Sequence, residues 1–296
     1  MSESPEKAAA GSSSLQFYSP VNVEVAGLSH PGKVHTKNED HFYIARFGRF
    51  LETVQTNLPP EKILDRSEDS SYAILVADGI GGGAAGEIAS REAIRVLLKL
   101  MLRAPTWILR PDDENTTQLV LERATARVAE INQALEKKAQ RDSTLQGFGT
   151  TFTAAWNLAK QLFITHVGDS RAYLYRGKNL EQLTRDHTFT QEMIERGVID
   201  PESASKHRLR HVLTRALGDT DVDGAPGVCH LQLEDGDNLL LCTDGLTDMV
   251  PDQQIASTLE RAESCDQACR LLLDQALEAG GKDNITIAMA RYRVQA

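Results

Sequence analysis

The acids of this chain fall where apolar runs begin or end, and no other feature restricts its fold as much. They stand at Asn38-Glu39-Asp40, Asp78-Gly79, Gly168-Asp169-Ser170, Asp244-Gly245-Leu246-Thr247-Asp248 and Asp283-Asn284. AILVA before Asp78, FITHV before Gly168 and LLLC before Thr243 are apolar runs, and the first is continuous from Tyr72, as in a strand covered on both faces. An acid directly beyond such a run lies on the rim of a core, where an uncompensated charge is costly to desolvate. Bound cations would compensate it. Magnesium and manganese take carboxylates, backbone carbonyls and retained waters, whereas a zinc site calls for a convergent His/Cys pattern that this sequence lacks. Glycine after Asp78 lets the backbone approach an ion closely. Any one of these aspartates is also ordinary turn chemistry; five such junctions along one chain outweigh that reading.

The 296 residues leave one or two domains open, and 41% apolar with 25% charged residues is a globular composition able to bury a sizeable core. A formal net charge of -10 argues against nucleic acid as a partner, since such binding runs on clustered Lys and Arg. Cys229, Cys242, Cys265 and Cys269 form no C-x-x-C pair and are expected as reduced thiols, Cys265 and Cys269 packing from one helix into a core. No run reaches the length of a membrane span, and the start MSESPEKAAAGSSS has no apolar signal-peptide core, so the expected location is cytoplasmic.

Residues 1–20, poor in large apolar side chains, are expected to be a disordered tail, and 21–296 the folded unit. Strands are expected at Val21–Leu28, His41–Phe47 and Tyr72–Asp78, with the polar stretch 48–71, which carries Pro59-Pro60, as an inserted loop. Helical spacing marks two long helices, from Ala84 to Met101 and from about Thr116 to Gln140. Further strands follow at TTFTAAWNL, QLFITHV, AYLYRG, VCHLQL and NLLLCT, joined by short turns, as in antiparallel meanders. Between them, 186–227 reads as a polar helical excursion, a flap over a site. Two late helices, near Pro251–Glu260 and Cys265–Ala279, precede the last strand NITIAMARYRV. The order β, αα, β-rich, αα, β is satisfied by two sheets flanked by helix pairs.

The ordered blocks N-E-D, D-G-I-G-G-x-x-x-G-E, G-T-T, G-D-S-R, D-G-L-T-D and D-N, over residues 22 to 293, resemble the signature of the type 2C (PPM) metal-dependent protein serine/threonine phosphatases. The resemblance implies an α+β, four-layer αββα sandwich of two antiparallel sheets, with a metal cluster at one end of the cleft between them. It implies that Asp78 bridges two Mn2+ or Mg2+ ions, with the Gly79 carbonyl on one and Asp244 and Asp283 on the other. Glu39 and Asp40 would hold waters on those ions, and Asp169 and Asp248, with Asp244, match positions for a third, weaker cation. The implied reaction is hydrolysis of phosphoserine or phosphothreonine by a water or hydroxide between the two ions, with Asp78 and Asp244 central and no side-chain nucleophile. Ser170 lacks a base to activate it.

Two positions depart from the family pattern. Ile80 stands where many eukaryotic relatives have histidine, which places the sequence with the bacterial branch. His35 stands where an arginine normally grips the substrate phosphate. Histidine offers fewer donors and a pH-dependent charge, so a weakened or pH-sensitive grip is expected, with Lys33, Lys37 or a flap arginine (Arg208, Arg210, Arg215) as surrogates. The rival reading is a catalytically weak or silent phosphoprotein-binding scaffold of the same fold. Implied partners are a phosphorylated protein and a cognate Ser/Thr kinase, with a monomeric protein expected.

Overall fold

The computed structural model describes residues 21–55, 66–81, 85–103, 114–145, 147–218 and 226–294, so the expected disordered tail 1–20 lies outside the described residues. One sheet contains β1 (Val21–His30), β8 (Arg171–Arg176), β9 (Asn179–Gln182), β11 (Asn238–Cys242) and β12 (Ile285–Val294), in the order β1-β12-β11-β8-β9. The other contains β2 (His41–Glu52), β3 (Arg66–Ala77), β6 (Phe152–Leu158), β7 (Gln161–Val167) and β10 (Gly227–Gln232), in the order β10-β7-β6-β3-β2. Every neighbouring pair in both sheets is antiparallel. A short ladder, β4 (Gly79–Ile80) with β5 (Gly149–Thr150), lies apart from both.

Period-two alternation assigns each strand face to a layer. Ile74 and Val76 of β3, Leu239 and Leu241 of β11, and Ala288 and Ala290 of β12 meet in the cluster between the sheets. Their chain neighbours point outward. Leu75 and Ala77 pack with α1 (Ala85–Arg103) and α2 (Glu114–Arg141). Leu240, Cys242, Ile287 and Met289 pack with α5 (Asp244–Thr247), α6 (Asp252–Arg261) and α7 (Cys265–Glu278). The result is the expected αββα sandwich. On α7, Cys265, Ala268, Cys269, Leu272 and Ala276 recur at helical spacing and are fully buried, so both cysteines are core thiols. Ser264 caps this helix by accepting from Gln267 N at 3.1 Å. Among the described residues no helix is long and apolar enough to cross a membrane.

Two sequence expectations need correction. Residues 48–52 and 66–71 are strand, continuing β2 and β3 in register from Phe47↔Ser71 to Glu52↔Arg66, so the loop expected over 48–71 begins only after Glu52. β3 pairs with β6 only over Ala73–Val76, so this part of the hairpin runs beyond its sheet neighbour. A two-stranded extension held by its backbone ladder imposes no alternation that a sequence reading can detect. Residues 56–65 lie outside the described set. In the flap stretch 186–227, α3 (Phe189–Glu195) and α4 (Pro201–Ser205) are helical, but 207–218 is not. There the backbone bonds outward instead: Thr214 N donates to His187 O at 2.9 Å, Leu217 N to Thr150 O at 2.8 Å, and Gly218 N to Asn132 Oδ1 at 2.7 Å. Residues 219–225 are not among those described.

Candidate metal centre at the end of the sheets

Strand register gathers the acids at one end of the sandwich. His41 pairs with Ala77, Val76 with Thr153 and Phe152 with Val167, which brings Glu39-Asp40, Asp78 and Asp169 to the same edge of their sheet. In the other sheet Cys242 pairs with both Arg171 and Ile287, which brings Asp244 and Asp283 to the matching edge.

Hydrogen bonds lock these edges together. Thr243 Oγ1 accepts from Thr286 N at 3.0 Å and donates to Asp40 Oδ2 at 2.8 Å, tying the two sheets through a buried carboxylate. Asn284 Oδ1 accepts from Glu39 N at 2.7 Å, while its amide donates to Pro31 O and Lys37 O. Asp78 N donates to Thr151 Oγ1 at 2.9 Å, and Asp78 O accepts from Thr150 Oγ1 at 2.7 Å and Thr151 N at 2.9 Å. Ser170 is fully buried and its hydroxyl pairs with Thr151 Oγ1 at 2.7 Å, so it has no access to a substrate. Gly79 must be glycine: a Cβ there would meet Glu39 O at 2.7 Å and Gly86 O closer still.

The electrostatics are those of gathered like charges. Burial raises the Asp40 carboxyl to about 7; its bond from Thr243 opposes the rise and Asp244 adds to it. Asp78 is pushed well above the usual carboxylate range by burial and then by Asp40, Asp244, Asp169 and Asp283. Burial and then Asp244 raise Asp169 and Asp248 likewise. Glu39 rises by burial against the pull of His35 and Lys37.

Two buried oxygens, Asp40 Oδ1 and Asp244 Oδ1, have no hydrogen-bond partner among the described residues. An orphaned carboxylate oxygen inside an acid cluster calls for a positive partner. Among the described residues no three His, Cys, Asp or Glu side chains form a ready cage for one ion. That does not disqualify the hard divalent cations, since magnesium in particular is commonly held by one or two carboxylates and keeps several waters. The donor set, all carboxylate and carbonyl oxygen, fits magnesium or manganese.

Two histidines flank the acids. His35 Nε2 stands 3.5 Å from Asp283 Oδ1, both side chains being about half exposed. His211, from the flap stretch, places Nδ1 3.5 Å from Asp244 Oδ2 and Nε2 3.2 Å from Asp248 Oδ2, and these contacts, Asp244 first, raise its pKa. Arg210 Nη2 lies 3.9 Å from the same Asp248 oxygen. His211, Thr243 and Thr286 belong to no motif that marks them in the sequence. The threonines follow and precede recognisable motif residues, but His211 sits in the basic stretch KHRLRHVLTR with nothing to single it out.

An αββα sandwich with carboxylates gathered at one end of its two sheets defines a scaffold suited to divalent cations. The chain belongs to the protein phosphatase 2C family, whose model matches residues 43–285. It is 38% identical over 228 residues to the serine/threonine protein phosphatase PstP of Mycobacterium tuberculosis, covering 76% of this chain but 42% of that protein, so it spans less than half of that relative. It is 36% identical to the serine/threonine phosphatase stp of Listeria welshimeri, over 75% of this chain and 85% of that one. Among solved structures, M. tuberculosis PstP/Ppp superposes with a TM-score of 0.73 at 31% identity, covering 93% of this chain and 99% of that one. The catalytic domain of PstP in complex with two manganese ions gives 0.71 at 32%, covering 92% and 99%.

Proposed function

We propose that the protein is a Mn2+- or Mg2+-dependent phosphatase of phosphoserine and phosphothreonine in proteins. The observation that carries this reading is the convergence of Asp40, Asp78, Asp169, Asp244 and Asp283 at one edge of the family fold, with two buried carboxylate oxygens left for a cation. The names of the relatives and the manganese-bound neighbour support it.

In this reading Asp78, the Gly79 carbonyl, Asp244 and Asp283 would hold the two ions. When bound, such ions neutralise the phosphoryl oxygens and acidify a water. Glu39 and Asp40 would orient water on those ions, the buried Asp40 being held by Thr243. Asp169 and Asp248, with Asp244, would hold a third, weaker cation. His35, at the edge beside Asp283, meets the substrate phosphate in place of the usual arginine. The partners are a phosphorylated protein and its Ser/Thr kinase, and the protein acts as a cytoplasmic monomer.

His35 also favours a second reading, a scaffold that binds phosphoproteins without turnover. Hydrolysis of a phosphothreonine peptide with and without Mn2+, with Asp244→Ala as control, separates the two. Metal-dependent turnover lost in Asp244→Ala supports the enzyme, and peptide binding with zero turnover supports the scaffold.

A further inference from the structure

A cleft of about 330 Å³ lies between α1, α2 and the outer face of the β2-β3-β6-β7 sheet, away from the acid end. Protein interiors are close-packed, and this volume falls within the range of small-molecule sites. Its walls are apolar, with Leu97, Leu98 and Met101 from α1 facing Phe47, Phe152 and Trp156 from the sheet.

The polar groups in it are unusual for so acidic a chain. Arg46, Arg123 and Arg127 line the cleft and no Asp or Glu among the described residues does, although the net charge is -10. Arg123 and Arg127 are one helical turn apart, a like-charge spacing that disfavours both. Burial and then Arg123 lower the Arg127 guanidinium from its ordinary value. Arg123 Nη1 is buried without a hydrogen-bond partner among the described residues. So is the hydroxyl of Thr165, a residue only 3% exposed that lines the same cleft from β7. Buried donors are seldom left unsatisfied unless a ligand or water completes them.

We propose that this cleft binds a medium-chain carboxylate of the fatty-acid class, its carboxylate on Arg123 and its aliphatic chain among Leu97, Leu98 and Phe152. The charge fits, because a guanidinium presents paired donors to a carboxylate. The lining also fits an aliphatic chain better than a nucleotide, since it supplies apolar surface and no acid or amide side chain to read a base edge.

Calorimetric titration of the full chain with decanoate, and in parallel with decan-1-ol, tests it. Saturable one-to-one binding of decanoate is expected, and Arg123→Met should weaken it by about tenfold or more while leaving decan-1-ol unaffected. Ala45→Trp, which fills the cleft, should abolish binding of both. A cooperative thermal melt like the parent's shows that each variant is folded. No saturable binding, as when the cleft is filled by the protein's own chain, overturns the proposal, and so does decanoate binding that both variants leave unchanged.

Discussion

Asp40 is buried at the seam of the two sheets with one oxygen held by Thr243 and the other orphaned. Its carboxyl is raised to about 7, so without metal the native state keeps a proton that the unfolded chain releases. For a carboxyl raised this way, stability is fullest below the unfolded value and is lost as pH rises through about 7. Asp40→Asn should therefore stabilise the metal-free protein at about pH 7.5 by at most a few kcal/mol, read as a higher melting temperature, with the gain vanishing near pH 4. A variant less stable than the parent at both pH values would contradict the assignment. If His35 meets the phosphate as proposed, His35→Arg supplies a planar fork of donors and should lower KM for a phosphopeptide about three- to tenfold with little change in kcat. An unchanged or higher KM would remove His35 from the phosphate. Asp78, Asp244 and Asp283 were legible in the sequence because each stands in a short motif. Thr243 was not, because its partner Asp40 lies 203 residues away and only the sheet-to-sheet packing joins them.

The first turn of α1 is pressed against β4 and the segment before β2. A Cβ on Gly86 would meet Gly79 O at 2.6 Å and Glu39 Oε2 closer still, so Gly86→Ala must push these elements apart. It should cost about 1–3 kcal/mol of stability and weaken Mn2+ binding, both read by thermal melting with and without metal. Gly227→Ala, whose Cβ would meet nothing nearer than 3.7 Å, is the control expected to do neither. The root of the flap rests on a histidine pair, His166 and His187, with ring centroids 4.9 Å apart. His166 Nε2 bonds Arg185 O, and His187 Nδ1 accepts from Gly168 N. Burial above all lowers them to about 3 and about 4, so they are neutral in the native state. Stability from a histidine lowered this way is present above its unfolded value near 6.5 and is lost as pH falls through about 4 and 3. Protection factors at the Gly168 and Thr214 amides, taken relative to intrinsic exchange at each pH, should fall over that descent; protection constant across it would contradict the packing account. Long amphipathic helices and apolar strands were readable from periodicity. The 207–218 stretch was not, because beyond two single turns, Arg210 N to His207 O and Val212 N to Leu209 O, its backbone bonds to His187, Thr150 and Asn132.

The described residues form two outer cores and one inner core, and the order of elements along the chain already implied that layering. What the order could not give is the register that aligns the acid-bearing ends, since pairings such as Cys242↔Ile287 join distant parts of the chain. Once aligned, those acids oppose one another, and a cation relieves the whole set. Metal affinity should consequently weaken as pH falls below about 7, because ligand carboxylates must lose their protons. The direct measurement is calorimetric titration of Mn2+ into metal-stripped protein at about pH 7.5, repeated at about pH 5.5 and with Asp78→Asn. Two ions should bind the parent at the higher pH, more weakly at the lower, and Asp78→Asn should lose both. No binding, or binding that Asp78→Asn leaves intact, would contradict a two-cation centre built on Asp78.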